Sequence, residues 1–528
     1  MPNIRQRRQQ VSAALSSPGY QSLRAIAKAT DIPKSSVHRH QQAIEQRRQL
    51  PESGLWETAV GEQWLKRLVV GAIYVFSIKR GIGAESLSEF FHKLRLERYI
   101  GVSASSLRKL QARLEAEILT YQQQQQERLS AACEPLPELC VGTDETWFEQ
   151  TVLVMMELSS GYLLVEETVD NHDYDTWQQS VQPVLQHWQG HIRYCVNDRA
   201  KALVKLAQTD LGCASIADLF HAMRKLTRGL GSELDQRLGQ RRRRLKNLQS
   251  KSKPPMDEVQ KRQREVQVLS TAQAKFREHL RAISTTLHPF AFASHTVHST
   301  ETTVANLTQQ VQHLQHLQQT HQLKDITDSL QQFNRQINDL CAVIDVWWQW
   351  VHQAIATHSL SEALPPWLTT ILLPVCYWQA QMHRADQPDL RAAYQTAYQQ
   401  AQSALNTHPL TATLDGQSYR YWVSWATDMV TKFQRTTAAV EGRNGYLTQR
   451  HYNSRGLSSH CIQVMSAIHN FDLRRTDGST AAQRLFKQAH PDLFLTVLEQ
   501  APDLPLPRQR RKAKRPIDEI LDLPRVPA

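Results

Sequence analysis

The spacing of apolar positions changes character three times along the chain. In residues 22–44, SLRAIAKATDIPKSSVHRHQQAI, Leu23, Ile26 and Ala27 fall at helical spacing, Ile32 follows, and Val37 and Ile44 restart the period. That rhythm predicts helix, turn, helix, with Asp31 and Pro33 punctuating the turn. A weaker version follows at 86–119, where Ser103 is placed to cap a long helix carrying Leu107, Leu110, Leu114 and Ile118. A glutamine run at 122–126 and the two prolines of AACEPLPEL (131–139) then mark a boundary. Beyond it the period becomes two. ELCVGTDETWF (138–148), TVLVMMEL (151–158) and YLLVEETV (162–169) read as three strands of an antiparallel meander, with Ser159, Ser160 and Gly161 turning between the last two. A helix with Trp177, Val181, Val184, Leu185 and Trp188 on one face follows, then a strand at 191–198, a short helix at 200–208 and a strand at 214–220. The order is β, β, β, α, β, α, β.

From about 222 to 436 the strand signal vanishes. Leu234, Leu238, Leu245 and Leu248, a SKSKPP break at 250–255, then Val259, Val266, Leu269, Phe276 and Leu280 predict two long helices folded back on each other. Further helices are expected at 302–358, 362–384, 388–405 and 417–436, and after them at 438–450, 458–471 and 479–500. The expected divisions are therefore 1–50, 51–132, 133–225, 226–436, 437–500 and a basic tail, 501–528.

Composition narrows the class. At 528 residues a single small module is excluded, and 41% hydrophobic residues allow packed cores. Basic residues exceed acidic ones, 62 against 50, which points to a polyanionic partner, nucleic acid or an anionic surface. No apolar run is long enough to span a bilayer and no signal-peptide core follows the N-terminus, so a soluble, intracellular protein without a membrane partner is expected. The seven cysteines form no CxxC pair, which argues against a disulfide framework or a zinc knuckle.

The chemistry centres on three acids. Asp144 sits on the first strand of the meander and Asp198 closes the strand after the first crossover helix. In a sheet ordered 3-2-1-4-5 those strands are neighbours and their carboxylates lie side by side. Such a pair suits two hard divalent cations that clamp the attacking and leaving oxygens of a phosphodiester. Glu441, in AAVEGRNGYLTQRHYNSRGL, is the best third ligand, with Asp428 and Asp345 as alternatives on the helical block. Ordinary roles stand beside these: a strand-end turn for Asp144, a helix cap ahead of Ala200 for Asp198, and a solvated helix acid for Glu441. Glu145 follows Asp144 on a strand and is expected on the opposite face.

The order of elements, with TDE (143–145), VND (196–198) and a helical VEGRNG (440–445), resembles the ribonuclease-H-like core of DDE transposases. The closest likeness is to bacterial insertion-sequence enzymes whose core is interrupted by a helical insertion before the final glutamate. The resemblance covers about 135–225 and 437–500, together with the N-terminal helix-turn-helix. It implies an α/β ribonuclease-H-like core interrupted by a large all-α insertion at 226–436, and Asp144, Asp198 and Glu441 as catalytic metal ligands. It also implies two Mg²⁺ ions, with Mn²⁺ as a substitute. The implied activity is cleavage at the terminal inverted repeats and strand transfer into target DNA by a homodimer or larger assembly. The implied location is the cytoplasm, at the nucleoid if the source is bacterial. A ribonuclease-H-like nuclease without strand transfer and a domesticated, non-enzymatic DNA-binding protein are the alternatives. The tyrosine and arginine of one major transposase signature are missing, since Gln434 and Thr437 stand in their places.

Contacts to DNA are expected from Lys34, Ser35, Ser36, His38 and Arg39, in the first turns of the second N-terminal helix, where a recognition helix meets a major groove. Around Glu441, Arg443, Asn444, Arg450 and Arg455 are candidates, with Asn444 on the same helix face as the glutamate and Arg450 roughly opposite. Gly442 and Gly445 suit close approach of a DNA backbone, or simply a helix end. His221, at the end of the last expected strand, resembles a histidine near the active site of some transposases; a plain capped or core histidine is the other reading. Arg241 to Arg244 and the tail RQRRKAKR (508–515) are basic tracts, either sequence-blind phosphate contacts or solvated charge. Trp347, Trp348 and Trp350 fit core packing better than base stacking.

Overall fold

The computed structural model describes residues 4–17, 22–49, 53–56, 58–133, 137–187, 191–292, 296–325, 328–454 and 456–507. Trp188, Arg455 and the basic tail from residue 508 lie outside the described residues. The chain divides into two compact units, Met1–Gln123 with Pro491–Ala528, and Gln124–His490.

In the first unit, helices α1 (Ile4–Ser16), α2 (Leu23–Thr30) and α3 (Lys34–Arg48) close around Val11, Ile26, Ile32, Val37 and Ile44. Ser22 caps α2 by accepting from the Ala25 N–H, Asp31 ends it in the left-handed region, and the Pro33 carbonyl accepts from Ser36 and Val37 to start α3. The helix, turn, helix rhythm is therefore realised with a third helix completing its core. Helices α4 (Ser53–Trp56), α5 (Ala59–Ala72), α6 (Ala84–Lys93) and α7 (Ala104–Ala131) follow.

The second unit is built on one five-stranded sheet, β1 (Leu139–Trp147), β2 (Thr151–Glu157), β3 (Tyr162–Val169), β4 (Ile192–Asn197) and β5 (Ala214–Ala217), in the order β3-β2-β1-β4-β5. β1 to β3 run antiparallel, while β1, β4 and β5 run parallel through α8 (Tyr174–His187) and α9 (Lys201–Thr209). β2 is buried along its whole length, as a strand with both faces covered must be. The edge strand β3 is closed by Asn470, whose side chain exchanges hydrogen bonds with both the N–H and the C=O of Leu163. Gly142 lets β1 pass Leu158 closely, since a Cβ there would lie 2.7 Å from its Cδ2.

The helical block comprises α10 (Leu219–Leu226), α11 (Ser232–Gln249), α12 (Met256–Thr286), α13 (Thr300–Thr320), α14 (Ser329–Ala356), α15 (Leu364–Trp367), α16 (Leu373–Arg384), α17 (Pro388–Thr407), α18 (Pro409–Thr413) and α19 (Gly416–Thr431). It is followed by α20 (Ala438–Ser454), α21 (Ser459–Phe471), α22 (Ala481–Phe486) and, in the first unit, α23 (Leu493–Gln500). α14 packs Trp347, Trp348 and Trp350 into a core shared with the sheet, all three at most 7% exposed, so they fill the interior.

Three expected elements are corrected. The strand expected over 214–220 stops at Ala217, because Asp218 accepts from the Phe220 N–H and turns the chain into α10. His221 therefore stands on a helix, not at a strand end. The single helix expected over 302–358 is two, with Gln322 and Asp328 in the left-handed region between them. The helix expected over 479–500 is likewise two, α22 and α23, with Pro491 between them.

Candidate functional site

Register places the first two acids. Gly142 of β1 is level with Val196 of β4, so two residues farther on each chain Asp144 and Asp198 come to the same rim of adjacent parallel strands. The return of the chain from the helical block brings the third. Tyr194 Oη donates to the Lys432 carbonyl at 2.5 Å and accepts from the Gln434 N–H at 2.9 Å; the Leu219 N–H donates to the Arg435 carbonyl at 3.1 Å. Thr437 Oγ1 then donates to Asp218, and α20 starts one residue later. These bonds anchor α20 at the ends of β4 and β5, with Val440, Arg443, Asn444, Leu447 and Arg450 on its buried face.

One ligand atom each of Asp144, His221 and Glu441 lies within 4.8 Å of the others. Asn444 Nδ2 donates to Asp144 Oδ2 at 2.9 Å, His221 Nε2 meets Glu441 Oε1 at 3.2 Å, and Arg224 approaches the same oxygen at 3.7 Å. Asp198 is outside that trio. Its Oδ1 accepts from the Ala200 N–H at 2.8 Å in a turn ahead of α9, whose N-cap is Ala200 itself, while its charge acts on Glu145. The expected alternatives for the third acid are engaged elsewhere: Asp428 pairs with Lys432 and Lys487, and Asp345 accepts from the Thr300 N–H.

Two participants escape sequence reasoning. Asp218, 2% exposed, accepts from His221 Nδ1 at 2.6 Å and so turns Nε2 toward Glu441. Its signal is an aspartate immediately before a helical pattern, Leu219, Ala222 and Leu226, which the apolar run of the expected strand disguises. Glu145, expected on the face opposite Asp144, is half-buried and still feels the charges of Asp198 and His221.

The electrostatics are those of crowded acids. Burial, then the charges of Glu441 and Glu145 against the opposing pull of His221, pushes the Asp144 carboxyl up to about 7. Burial and Asp198 push Glu145 up to about 7. His221 is raised, first by its hydrogen bond to Asp218. Glu145 Oε2 and Asn444 Oδ1 are buried with no hydrogen-bond partner. Unpartnered buried oxygens beside repelling carboxylates are the donor set a hard divalent cation would satisfy.

The other candidates on α20 divide. Arg443 is 3% exposed and pairs with Glu166 through Nε at 2.7 Å and an Nη at 2.6 Å, with Ser466 completing the carboxylate. It locks α20 to β3. Arg450, 6% exposed and in contact with Cys461 Sγ, is also interior. Both are corrected from phosphate contacts to buried residues, since α20 presents them to the core. Gly442 and Gly445 face outward, and a Cβ at either would meet nothing. In the first unit Lys34, Ser35, His38 and Arg39 are exposed on α3 and Ser36 is half-buried; Arg39 hydrogen-bonds the Ser35 carbonyl and Ser36 Oγ.

Among known proteins, residues 368–513 match a family of unknown function, DUF6399. That stretch contains Glu441 and Asn444 but none of the other site residues. No curated protein and no solved structure is significantly similar to the chain. Among the described residues no helix is long and apolar enough to cross a membrane.

Proposed function

We propose that the protein is a DDE transposase with a ribonuclease-H-like core, cutting DNA at the ends of a mobile element and joining the freed 3′-hydroxyls to target DNA. The observation that carries this reading is that Asp144 and Glu441, 297 positions apart, meet at the rim where Asp198 ends the neighbouring strand. The helical block leaves the sheet after β5 and returns at the same edge, which is what a core interrupted before its last acid requires.

Asp144, Asp198 and Glu441, with the free oxygens of Glu145 and Asn444, would hold Mg²⁺. Two such ions supply an activated oxygen nucleophile and stabilise the leaving oxygen. The chain's own groups do the rest. Asn444 fixes the Asp144 carboxylate by donating to Oδ2. Asp218 holds His221 through Nδ1, so that Nε2 is the atom able to give or take a proton beside Glu441. The exposed first turns of α3 would read element-end DNA in a major groove, by the side chains of Lys34, Ser35, Ser36, His38 and Arg39.

The test is nicking of supercoiled plasmid by the full chain in Mg²⁺, with joining of a pre-cut 3′-hydroxyl duplex measured in parallel. Asp144→Asn, Asp198→Asn and Glu441→Gln are expected to abolish both while leaving DNA binding nearly intact. Nicking without joining would reduce the protein to a nuclease. Full activity in all three variants would end the reading.

A further inference from the structure

We infer that the α11/α12 hairpin is a docking surface for the phosphate backbone of duplex DNA. The inference extends the DNA reading of the carboxylate site, yet it concerns binding alone and stands on different residues.

The charge is concentrated there. From Ser232 to Thr286 the chain carries 14 basic and six acidic residues, a net +8 out of +12 for the whole protein. Leu234, Leu238, Leu248, Val259, Ala272 and Phe276 are buried, so apolar positions close the inner side and the charges are left outside. Between the two helices lies a cleft of about 640 Å³ lined by Arg237, Arg241, Arg244, Lys261, Arg264 and Glu265. Three of these are spoken for. Arg237 pairs with Glu233 and donates to the carbonyls of His321 and Gln322, and Glu265 is shared between Arg241 and Arg262. Among the described residues no carboxylate forms an ion pair with Arg244, Lys261 or Arg264 in the cleft, or with Arg242 and Arg243 on other faces of the same turn of α11, and all five are exposed.

Several features choose DNA over other polyanions. The free cations extend past the cleft to Lys246, Lys251 and Lys253, farther than a small anion needs. Nine of the hairpin's 14 basic residues are arginine, whose fork matches phosphate oxygens in pairs. A membrane surface would call for an apolar face beside the charge, but Met256 and Val268 are the exposed large apolar side chains on the hairpin, set apart by three turns of helix. Position agrees. Backbone helix runs from α10 through a π-type turn, Thr227–Gly231, into α11, so Arg244 lies 23 residues along it from His221. At about 1.5 Å per residue that is about 35 Å of contour, close to one turn of B-DNA.

The experiment uses the full chain and a fluorescein-labelled random duplex of about three helical turns, followed by anisotropy between about 50 and 200 mM salt. Arg242→Gln, Arg243→Gln, Arg244→Gln, Lys261→Gln and Arg264→Gln are combined in one variant, whose helical circular dichroism and thermal midpoint should match the parent because none of the five is buried. The slope of log affinity against log salt should become shallower by about 0.9 for every phosphate no longer neutralised, about 4.5 in all if each side chain neutralises one. An unchanged slope in the five-site variant overturns the inference. So does a variant that loses binding to phosphatidylserine vesicles while keeping its affinity for DNA. Should the five-site variant show the shallower slope while the parent cuts nothing in Mg²⁺, the hairpin stands and the active-site reading falls.

Discussion

Asp144→Asn should make the metal-free protein more stable at pH 8, although it removes a hydrogen-bonded residue from the site. The carboxyl is 8% exposed and is pushed from its ordinary 3.8 up to about 7, chiefly by burial. Each tenfold change in proton affinity corresponds to 1.36 kcal/mol, so ionising it in the fold costs about 4 kcal/mol at most relative to the unfolded chain. The sign follows from proton binding. Between pH 4 and 7 the folded state holds a proton that the unfolded state has released, so stability falls as pH rises through this window and the loss is complete above 7. Asparagine keeps an oxygen to accept from Asn444 Nδ2 and carries no charge. At pH 5, where the native carboxyl is already neutral, the substitution should change little. Thermal unfolding in EDTA at pH 5 and pH 8 measures both, and a rise of several degrees at pH 8 alone is expected. Added Mg²⁺ should then reverse the order, stabilising the parent and not the variant. A variant less stable than the parent at pH 8 without metal would refute the reasoning, because Asp144 would then be a structural acceptor and not a carboxylate held at a cost for a cation.

Arg443→Ala should destabilise the second unit by about 3 to 5 kcal/mol, because it strands the fully buried Glu166 carboxylate; chemical denaturation measures it, and the added change Glu166→Gln should recover part of the loss. Asp218→Asn should lower the pH at which His221 titrates, followed by its ring proton resonance, since the hydrogen bond from Nδ1 is the first cause of its raised value. The stability contributed by that raised value is present at low pH and is lost as pH rises through the folded midpoint, so the variant should lose this dependence. Ser36→Ala with Arg39→Ala should weaken binding to element-end DNA more than to random duplex, read by competition in a gel-shift assay.

Much of the sheet is legible in the residues. The meander follows from period-two patterning and the Ser159 to Gly161 turn, where Gly161 adopts φ +78°. The order β3-β2-β1-β4-β5 is the one the ribonuclease-H-like resemblance implies, and the sheet has it. Asp144 and Asp198 are placed by that order alone. What stays hidden has long-range causes. Nothing near Arg443 reveals that a buried glutamate 277 positions earlier will face it, so a basic residue beside a candidate metal-binding acid reads as a phosphate contact. Asp218 caps a helix whose first residues, Leu219 and Phe220, continue an apolar run, and the cap is lost in the strand pattern. The break between α13 and α14 contains neither glycine nor proline; it rests on Gln322 and Asp328 at positive φ, a conformation that local preference does not announce.

The most direct test of the account is crystallographic: the full chain soaked in Mn²⁺, with anomalous scattering measured above the manganese edge. The account predicts two peaks about 3.5 to 4 Å apart, ligated by Asp144, Asp198 and Glu441 with Glu145 or Asn444 completing the shell, and no peaks in Asp144→Asn. Bound manganese held elsewhere, with Asp144 and Glu441 still bridged only by Asn444 and His221, would contradict it.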